Sequence, residues 1–404
     1  MTRAMSHLSH LSHLSQMIKT APISLYVHIP FCAARCPYCD FATAPAMSAL
    51  RGRYLDALAT ELGREGASLG RPPVRTIFFG GGTPSLLDPD EIALLGAAIS
   101  ASFEVAAEEV TVEANPATLD RVRLEAWCRL GVTRLSLGAQ TFADAGLRAL
   151  GRTHQAADVA PAVAAARSAG LDVSLDLIFG WPGQTPAQLA ADLDAAIALG
   201  VDHLSAYPLE LEQEPEDAVA NWPGGWAGLA RWRRETAAAQ PDDDRVADLY
   251  ELAGERLAAA GYRHYEIANW ARPGKECRHN LRYWRNADWL GVGAGAHSHL
   301  GGVRSHQPAA LATYIDRIER GLGRIADDGV DPQTDTAILA LRLDDGLDLA
   351  GYADRFGPAA RERISGVLHS FDPTGLVAWD GERVALTPRG RFVANEVFVR
   401  LLPD

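Results

Sequence analysis

Apolar runs rich in β-branched and aromatic residues alternate with amphipathic segments over the first half of the chain. Segments such as "DPDEIALLGAAIS" and "TPAQLAADLDAAIALG" repeat their apolar residues at helical spacing behind an Asp or Thr cap. Six alternations of this kind predict a parallel sheet whose crossover helices are right-handed and lie on its outside. The predicted strands cover residues 23–29, 74–82, 108–116, 132–140, 172–180 and 202–211.

The later strands end in residues that suit chemistry better than packing. "GGGTPS", "EANP" and "GAQ" close the second, third and fourth strands, and "FGWPG" closes the fifth. In barrels and open α/β sheets, ligands bind at the carboxyl ends of the strands. We therefore expect one site at that edge, roofed by these loops.

The pattern changes after the sixth strand. Residues 212–245 predict a polar, loop-rich insertion, and a helix follows over about 245–260. After about residue 307, helical segments precede "GLVAWDGERVALT", a predicted hairpin that turns at Asp380-Gly381, and a last amphipathic helix. Helices with one hairpin predict a small α+β, winged-helix-like domain, for which we expect a lid or docking role.

The domain organisation that follows has three parts. Residues 1–20 contain three Ser-His-Leu repeats and form a predicted disordered tail without an assigned function. A large α/β domain with additional elements is expected over 21–300, and the winged-helix-like domain over 307–404. The length of 404 residues fits this division, because one core rarely grows beyond about 250–300 residues.

Charge, apolar run length and cysteine usage argue against a nucleic-acid-binding protein, a membrane-spanning protein and a disulfide-rich secreted protein. With 38 basic and 51 acidic residues the net charge is −13, which disfavours nucleic acid as a partner. No apolar run reaches the ~18 residues of a membrane span, so only peripheral membrane contact stays open. The first residues have no apolar h-region and no small-residue cleavage site, so we do not expect a secretory signal, and the five cysteines, mostly clustered, do not suggest a disulfide framework. We expect a reducing, cytoplasmic setting.

Three of the five cysteines lie within eight positions, in "FCAARCPYCDF". Thiolates at Cys32, Cys36 and Cys39 are soft ligands that select zinc or an iron–sulfur cluster. A structural zinc site usually has two Cys-x-x-Cys pairs, and this loop has no second pair. A [4Fe-4S] cluster held by three thiolates would leave one iron open to a further ligand. A zinc loop completed by Cys128, Cys277 or a histidine is the alternative.

The Cys-x-x-x-Cys-x-x-Cys loop, with Tyr38 between its last two cysteines, resembles the signature of the radical S-adenosylmethionine (SAM) superfamily. "GGG" after "TIFF" is similar to the second motif of that superfamily. The resemblance implies a partial (β/α)6 barrel and a [4Fe-4S] cluster whose open iron chelates the amino acid end of SAM. In that chemistry an electron from the cluster breaks a carbon–sulfur bond of SAM and gives a 5′-deoxyadenosyl radical.

A narrower resemblance covers the chain from residue 23 to about 400. "LYVHIPFC", "FFGGGTPSLL", "RLSLGAQTF", "DLIFGWPGQT" and "HNLRYW" are similar to oxygen-independent coproporphyrinogen III oxidases and to the related radical SAM heme chaperones (HemW type). The side chains at the family's SAM positions suit the ammonium, ribose and carboxylate groups of SAM. The SAM-binding residues implied by this resemblance are Tyr26, Phe41, Gly81, Gly82, Thr83, Glu113, Gln140, Arg152 and Asp176.

Two motifs separate the two branches of this family. The oxidase pattern has a further cysteine two positions after the third, whereas this chain continues with Asp40 and Phe41. "HNLRYW" is similar to the motif associated with heme binding in the chaperones, and an imidazole with two aromatic side chains suits iron and a porphyrin face. The heme-binding residues implied by this resemblance are His279, Asn280, Tyr283 and Trp284.

Alternatives stay open around this motif. Cys277 and His264 lie close enough in sequence to be other axial ligands, and "RYWRNADWL" fits an aromatic core between the two domains equally well. In "GVGAGAHSHL", His297 and His299 could bind a metal, but we expect them to pack in a loop near the cluster mouth.

The resemblance favours a heme chaperone that carries a [4Fe-4S] cluster and SAM, binds heme and delivers it to acceptor hemoproteins. A low-potential electron donor such as flavodoxin or ferredoxin is the expected redox partner. An oxygen-independent coproporphyrinogen III oxidase is the alternative, and the acidic charge disfavours a radical SAM RNA-modifying enzyme. Whether SAM is cleaved in this role, and so whether the protein is an enzyme, stays open.

Overall fold

The structure, a computed structural model, describes residues 21–210, 221–222 and 227–403. The expected tail over residues 1–20 lies outside these ranges. Two large hydrophobic cores organise the described chain, one around an extended sheet and one in the C-terminal part. Among the described helices, none combines the length and the apolar character that a membrane span requires.

The first part contains the six predicted strands and several shorter ones. Its strands are β1 (Ile23–Ile29), β2 (Phe31–Cys32), β3 (Ala44–Pro45), β4 (Pro73–Gly81), β5 (Glu104–Ala114), β6 (Arg134–Gln140), β7 (Asp172–Phe179), β8 (His203–Pro208), β9 (Arg263–Glu266), β10 (Asn269–Ala271), β11 (Trp289–Val292), β12 (His297–Leu300), β13 (Val303–His306) and β14 (Ile325–Ala326). Its helices are α1 (Arg51–Leu69), α2 (Pro89–Ser102), α3 (Arg121–Leu130), α4 (Asp144–Ala149), α5 (Val159–Ser168), α6 (Pro186–Ala198), α7 (Ala227–Thr236), α8 (Asp243–Ala259), α9 (Arg278–Trp284) and α10 (Leu311–Glu319).

The six predicted strands form the parallel centre of the sheet, which confirms the α/β prediction. Across the described residues the strand order is β14-β13-β12-β11-β1-β4-β5-β6-β7-β8-β10-β9, so β14 and β9 are edges and the barrel is partial. β1 is buried along nearly its whole length, as expected for a parallel strand covered on both faces. β11 extends the parallel run beyond β1, with Leu290 opposite Leu25.

Helix α6 shows how the local sequence starts a crossover helix. Thr185 Oγ1 accepts a hydrogen bond from the N–H of Gln188 at 3.3 Å, and Gln188 Oε1 accepts one from the N–H of Thr185 at 2.8 Å. This capping box satisfies two backbone donors at the first turn. Leu189 and Leu193, one turn apart, are then buried in the core under the sheet.

The insertion predicted as loop-rich contains a helix. Helix α7 lies within residues 212–245, which corrects that prediction. Arg231 and Glu235 pair one turn apart with 2.7 Å between Nε and Oε1, and Trp232 Nε1 donates to the carbonyl oxygen of Ala149 at 2.9 Å. The polar residues that suggested a loop therefore belong, in this part of the insertion, to a helix with a solvent-exposed face. The remainder of the insertion, over 211–220 and 223–226, lies outside the described ranges.

The C-terminal part has an α+β core of its own. Its elements are α11 (Pro332–Leu341), β15 (Leu347–Asp348), α12 (Leu349–Phe356), α13 (Pro358–His369), β16 (Val377–Asp380), β17 (Arg383–Leu386), α14 (Pro388–Phe392) and α15 (Ala394–Leu401). Strands β16 and β17 form the predicted hairpin, and Gly381 in its turn has a φ of +59°. Strand β15 adds to β17, so helices and one small antiparallel sheet enclose the core.

The first core continues past residue 307, where the C-terminal domain was expected to begin. Leu311 and Tyr314 of α10 are buried in the first core, and β14 pairs with β13. The second core starts with α11, which Asp331 caps. The packing therefore divides the chain near Asp331.

Candidate functional site

The cysteine loop is tied at both ends to the carboxyl end of β1. β2 leads into the loop and β3 leaves it, and the two pair in parallel with Phe31 opposite Ala44. Burial lowers the pKa of His28 to about 4, so its ring is neutral at pH 7. His28 Nε2 donates to the carbonyl oxygen of Ala42 at 2.7 Å, which leaves Nδ1 to accept from Tyr26 OH at 3.0 Å. The sheet therefore sets the position of the loop.

The three clustered thiols face one cavity of about 460 Å³. Cys32 Sγ lies 3.5 Å from Thr83 Oγ1, and Cys36 Sγ accepts from Arg152 Nη1 at 3.5 Å. Burial raises the pKa of Cys32 to about 11 and also raises the pKa of Cys39. Thiols in such surroundings become thiolates when a bound metal compensates their charge.

Backbone at the end of β4 approaches the cysteine loop closely. The N–H of Gly82 donates to the carbonyl oxygen of Ile29 at 2.8 Å, and the N–H of Thr83 donates to that of Phe31 at 2.9 Å. A Cβ at Gly82 would lie 2.6 Å from the backbone of Pro30. The glycines are therefore required for the contact between β4 and the loop.

Two buried carboxyl groups face the same cavity, Glu113 from β5 and Asp176 from β7, with β6 between the two strands. Burial and the charge of Asp176 raise the pKa of Glu113 to about 8, although Glu113 accepts a hydrogen bond from the N–H of Gly81 at 2.9 Å. Burial raises the pKa of Asp176 to about 6, against hydrogen bonds from Ser136 and Ser205. The pair would be stabilised in its charged form by a cation in the cavity.

Gln140 and Arg152 complete the polar wall. Gln140 has a φ of +65° at the end of β6, a conformation that a non-glycine residue seldom adopts, and its Oε1 has no hydrogen-bond partner among the described residues. Arg152 Nη2 donates to the carbonyl oxygen of Gly138 at 3.0 Å, and its Nε has no partner within the same ranges. Buried donors and acceptors left open in this way suit a polar ligand.

The structure brings the twelve residues predicted for cluster and SAM to this one cavity. Phe41 lies at the rim, with 57% of its surface exposed. The residues that line the cavity include Tyr26, Cys32, Cys36, Cys39, Phe41, Gly81, Gly82, Thr83, Glu113, Gln140, Arg152 and Asp176.

The predicted heme motif lies on α9, at the opposite end of the strands. Thr76, near the start of β4, contacts His279 Nδ1 through Oγ1 at 2.8 Å. Glu109 of β5 accepts hydrogen bonds from the N–H groups of Arg278 and His279, each at 3.0 Å. His279, Asn280 and Tyr283 line the cavity from this floor. The cysteines and α9 therefore close two ends of one space.

His279 is wholly buried, and both of its ring nitrogens are engaged. Nε2 lies 2.8 Å from Tyr283 OH, opposite the contact of Nδ1 with Thr76, and burial lowers the pKa of His279 to about 3. Trp284 points elsewhere, with the guanidinium of Arg342 4.7 Å from its ring centroid. Three residues of the motif therefore lie at the cavity floor, and Trp284 contacts the C-terminal part instead.

Four of the other residues considered for metal or heme lie outside the cavity, whereas Cys277 lines it. His264 is held by Tyr250 and Asp344 and does not line the cavity. Cys128 packs half-buried against the first core. His297 and His299 do not form a loop at the cluster mouth as expected. They lie on β12, because this segment pairs with β13, and neither lines the cavity.

A charged cluster at the floor was not predicted as a unit. Arg134 and Glu109 are both buried, with 3.5 Å between Nη2 and Oε2, and Cys277 Sγ lies 3.4 Å from Glu109 Oε1. Arg134 also donates from Nη2 to the carbonyl oxygen of Lys275 at 2.8 Å. Burial raises the pKa of Cys277. The sequence signal was the presence of charged residues, Glu109 and Arg134, in two segments predicted as strands, "EEVTVEA" and "RLSLG".

Comparison with known proteins gives the family. The profile of the radical SAM superfamily matches residues 26–196, and that of the HemN C-terminal domain matches 331–393. A heme chaperone HemW of Mycobacterium tuberculosis is 40% identical over 392 residues, covering 94% of this chain and 95% of the relative. One from Bacillus subtilis is 35% identical over 388 residues, covering 94% and 99%. The chain belongs to the HemW family of radical SAM proteins.

Further relatives agree with the HemW assignment and with the fold. A heme chaperone HemW of Escherichia coli is 39% identical over 312 residues, 76% of each chain. The solved structure of coproporphyrinogen III oxidase (HemN) from Escherichia coli, a radical SAM enzyme, superposes with a TM-score of 0.81 at 24% identity. It covers 96% of this chain and 92% of that one, which shows a common fold.

Membership of the radical SAM superfamily implies an iron–sulfur cluster and SAM, and the cavity fits both. Three soft thiol ligands converge at its mouth, as a cluster with one open iron requires. SAM carries an ammonium group, a carboxylate and a positive sulfonium. The carboxyl pair of Glu113 and Asp176 suits its positive charge, and Gln140 and Arg152 offer polar atoms that have no hydrogen-bond partner among the described residues. Gly82, which has no Cβ, lets the backbone come close to the cysteine loop.

Proposed function

We propose that this chain is a heme chaperone that binds heme and delivers it to acceptor hemoproteins, with a [4Fe-4S] cluster and SAM held in the cavity. The observation that carries the proposal is the 35–40% identity to proteins named heme chaperone HemW over 94% of the chain. The departure at Asp40 and Phe41 from the oxidase pattern supports it further. Flavodoxin or ferredoxin is the proposed class of electron donor.

Cys32, Cys36 and Cys39 are the proposed cluster ligands. When bound, the cluster and SAM supply the one-electron chemistry in which a carbon–sulfur bond of SAM is cleaved. The cysteine loop holds its ligands in place through the contact of His28 with Ala42. Arg152, 3.5 Å from Cys36 Sγ, offsets part of the thiolate charge.

The remaining polar residues of the cavity are proposed to orient SAM. Glu113 would lose its proton and pair with the positive charge of SAM, because a nearby cation favours the charged carboxylate. Arg152 would bind the SAM carboxylate, and Gln140 would take a ribose or amino acid group. Phe41 and Tyr26 would cover the adenosyl part, and the buried positions of Glu113 and Asp176 limit the access of water to that part of the wall.

Heme is proposed to contact His279, Asn280 and Tyr283, with Trp284 at the edge of that contact. Neither nitrogen of His279 is free, so an iron ligand role requires that Tyr283 or Thr76 gives up its hydrogen bond. Tyr283 OH is the partner that iron would displace, because Thr76 Oγ1 donates its hydrogen to Ser24 Oγ at 2.8 Å and Nε2 is therefore the accepting nitrogen. The neutral imidazole, with its pKa near 3, is the form that binds iron.

The proposal is tested by titrating the anaerobically reconstituted full chain with heme and following the Soret band. We expect saturation near one heme per chain, and a dissociation constant for heme that is at least tenfold lower in wild type than in the H279A variant. The matched control is H203A. His203 is also buried in the cavity wall, with Ser174 Oγ 2.8 Å from Nδ1 and Tyr265 OH 2.8 Å from Nε2.

The control separates a heme role from structural damage. H203A is expected to keep wild-type heme affinity, and equal losses in both variants would remove His279 from the heme site. If wild type binds no heme with saturation, the chaperone proposal fails. Conversion of coproporphyrinogen III by the same sample would then establish the oxidase alternative.

A further inference from the structure

Outside the cavity, one group of side chains has the composition of a metal site. Within the described ranges, His297, His306 and Asp327 bring ligand atoms within 4.8 Å of one another. The carboxylate of Asp327 lies between the two imidazoles: Oδ1 is 2.5 Å from His306 Nδ1, and Oδ2 is 3.7 Å from His297 Nδ1. None of the three lines the cavity that holds the cysteines.

The pairing of three strands holds the group in place. His297 on β12 is directly opposite His306 on β13, and their ring centroids are 5.4 Å apart. His306 is in turn opposite Ile325 on β14, and Asp327 follows two residues later. The N–H of Asp327 donates to the carbonyl oxygen of Arg304 at 3.0 Å. Backbone hydrogen bonds therefore hold the three residues next to one another before any ligand arrives.

The chemistry of the group suits a divalent ion of the zinc class. Two imidazole nitrogens and one carboxylate oxygen are a donor set that zinc accepts, and they leave a fourth position for water. The nearby guanidinium of Arg304 is already paired with Asp335 at 2.6 Å, which limits its repulsion of a cation. The side chain of His297 is 65% exposed and that of Asp327 21%, so a hydrated ion can reach the group.

We propose that His297, His306 and Asp327 bind a divalent transition-metal ion at the outer end of the sheet. The ion joins β12 and β13 to the segment after β14, which leads within four residues to Asp331 and the C-terminal core. The bound ion would therefore have a structural role, because it would hold the segment between β14 and Asp331 against strands β12 and β13.

The test is a calorimetric titration of the full, cluster-loaded chain with ZnCl2, so that the three cysteine thiols are already occupied. We expect wild type to bind one more Zn²⁺ per chain than the H297A/H306A variant. D327N keeps the shape of the carboxylate and is expected to weaken that one site at least tenfold. The tail histidines His7, His10 and His13 are present in every sample, so the difference between variants isolates this site.

The matched control is H369A. His369 Nδ1 lies 2.9 Å from Asp372 Oδ2, which makes an exposed His–Asp pair without a second histidine. H369A is expected to bind Zn²⁺ as wild type does. Identical isotherms for wild type, H297A/H306A and D327N would overturn the proposal, as would an equal loss of Zn²⁺ in H369A.

Two further readouts test the role and the identity of the ligand. Zn²⁺ is expected to slow backbone hydrogen exchange over residues 321–330 in wild type and leave it unchanged in D327N. If Zn²⁺ binds but hydrogen exchange over residues 321–330 is no slower, the ion does not hold this segment against the sheet. Heme added to H297A/H306A is expected to give the wild-type Soret change. Loss of that change would mean that the histidines take heme iron, which contradicts the divalent-ion proposal.

Discussion

At the scale of single residues, Gly81 ties the end of β4 to the cysteine loop. Its φ is +112°, and a Cβ there would lie 2.4 Å from the ring of His28. His28 is the residue that holds Ala42 of the cysteine loop through its Nε2. One methyl group at Gly81 would therefore displace the ring that positions the three thiols.

The first prediction compares Gly81→Ala with Gly131→Ala. Gly131 has a φ of +99°, but no atom lies within 4 Å of the place that an added methyl group would take, so it has the backbone strain without the clash. We expect G131A to lower the free energy of unfolding by about 1 kcal/mol and G81A by about 2–4 kcal/mol. Urea unfolding measures both.

The same pair of variants tests the link to the cluster. G81A is expected to take up less than half the iron of wild type after anaerobic reconstitution, whereas G131A loads fully. Equal iron content in the two variants would show that the contact between Gly81 and His28 does not position the cysteine loop.

Residues in contiguous motifs could be predicted from the sequence, and Glu113, Gln140, Arg152 and Asp176 through the family resemblance, whereas the pair of Arg134 and Glu109 could not. Cys32, Cys36 and Cys39 share one loop, so their convergence is local. Arg134 and Glu109 come from separate strands and meet only because β5 and β6 are neighbours in the sheet. Their proximity depends on strand register, which a sequence pattern alone does not supply.

At the scale of elements, long apolar strands were predictable and short edge strands were not. β1 coincides with its prediction at both ends, and β4 to β8 overlap theirs. β9 to β14 have only two to four residues each, and they join the sheet where β10 pairs with β8 and β11 pairs with β1, partners distant in sequence. Their pattern is too short to indicate a strand.

The second prediction concerns the hairpin of β9 and β10. Glu266 is buried there, its carboxylate accepts from Asn269, and burial raises its pKa to about 7. Between pH 4.5 and 7 the folded state therefore binds more protons than the unfolded state, so stability falls as pH rises through this window and levels off above it.

The E266Q variant should lose this pH dependence. We expect the wild-type free energy of unfolding to fall by about 2–3 kcal/mol between pH 4.5 and 7.5 from this group, and E266Q to lack that part of the slope. Urea unfolding at a series of pH values measures it. E255Q, an exposed substitution on α8, is the control and should keep the wild-type slope. Parallel slopes for wild type and E266Q would contradict the prediction.

At the scale of the whole molecule, the division near Asp331 could not be predicted, because the amphipathic face of α10 would fit either core. The structure assigns α10 to the first core through a buried carboxylate on α1. Glu61, 1% exposed, accepts hydrogen bonds from the N–H of Gly293, from Gln307 Nε2 and from Tyr314 OH, at 2.7–2.8 Å. One side chain thus joins α1, β11 to β13 and α10.

The last prediction tests this junction through Glu61→Gln. Arg324 Nη1 also lies 3.0 Å from Glu61 Oε1, so an amide would leave this buried guanidinium with only the more distant Glu65 as a charge partner and turn an N–H₂ group towards other donors. We expect the free energy of unfolding to fall by about 3–5 kcal/mol and hydrogen exchange to accelerate over residues 293–326.

Glu65→Gln is the matched control on the same helix, because Glu65 Oε1 is 3.9 Å from the same guanidinium and more exposed. It should cost less than about 1 kcal/mol. Equal costs would mean that the charge of Glu61 does not hold the junction, and that apolar packing of α10 alone assigns it to the first core.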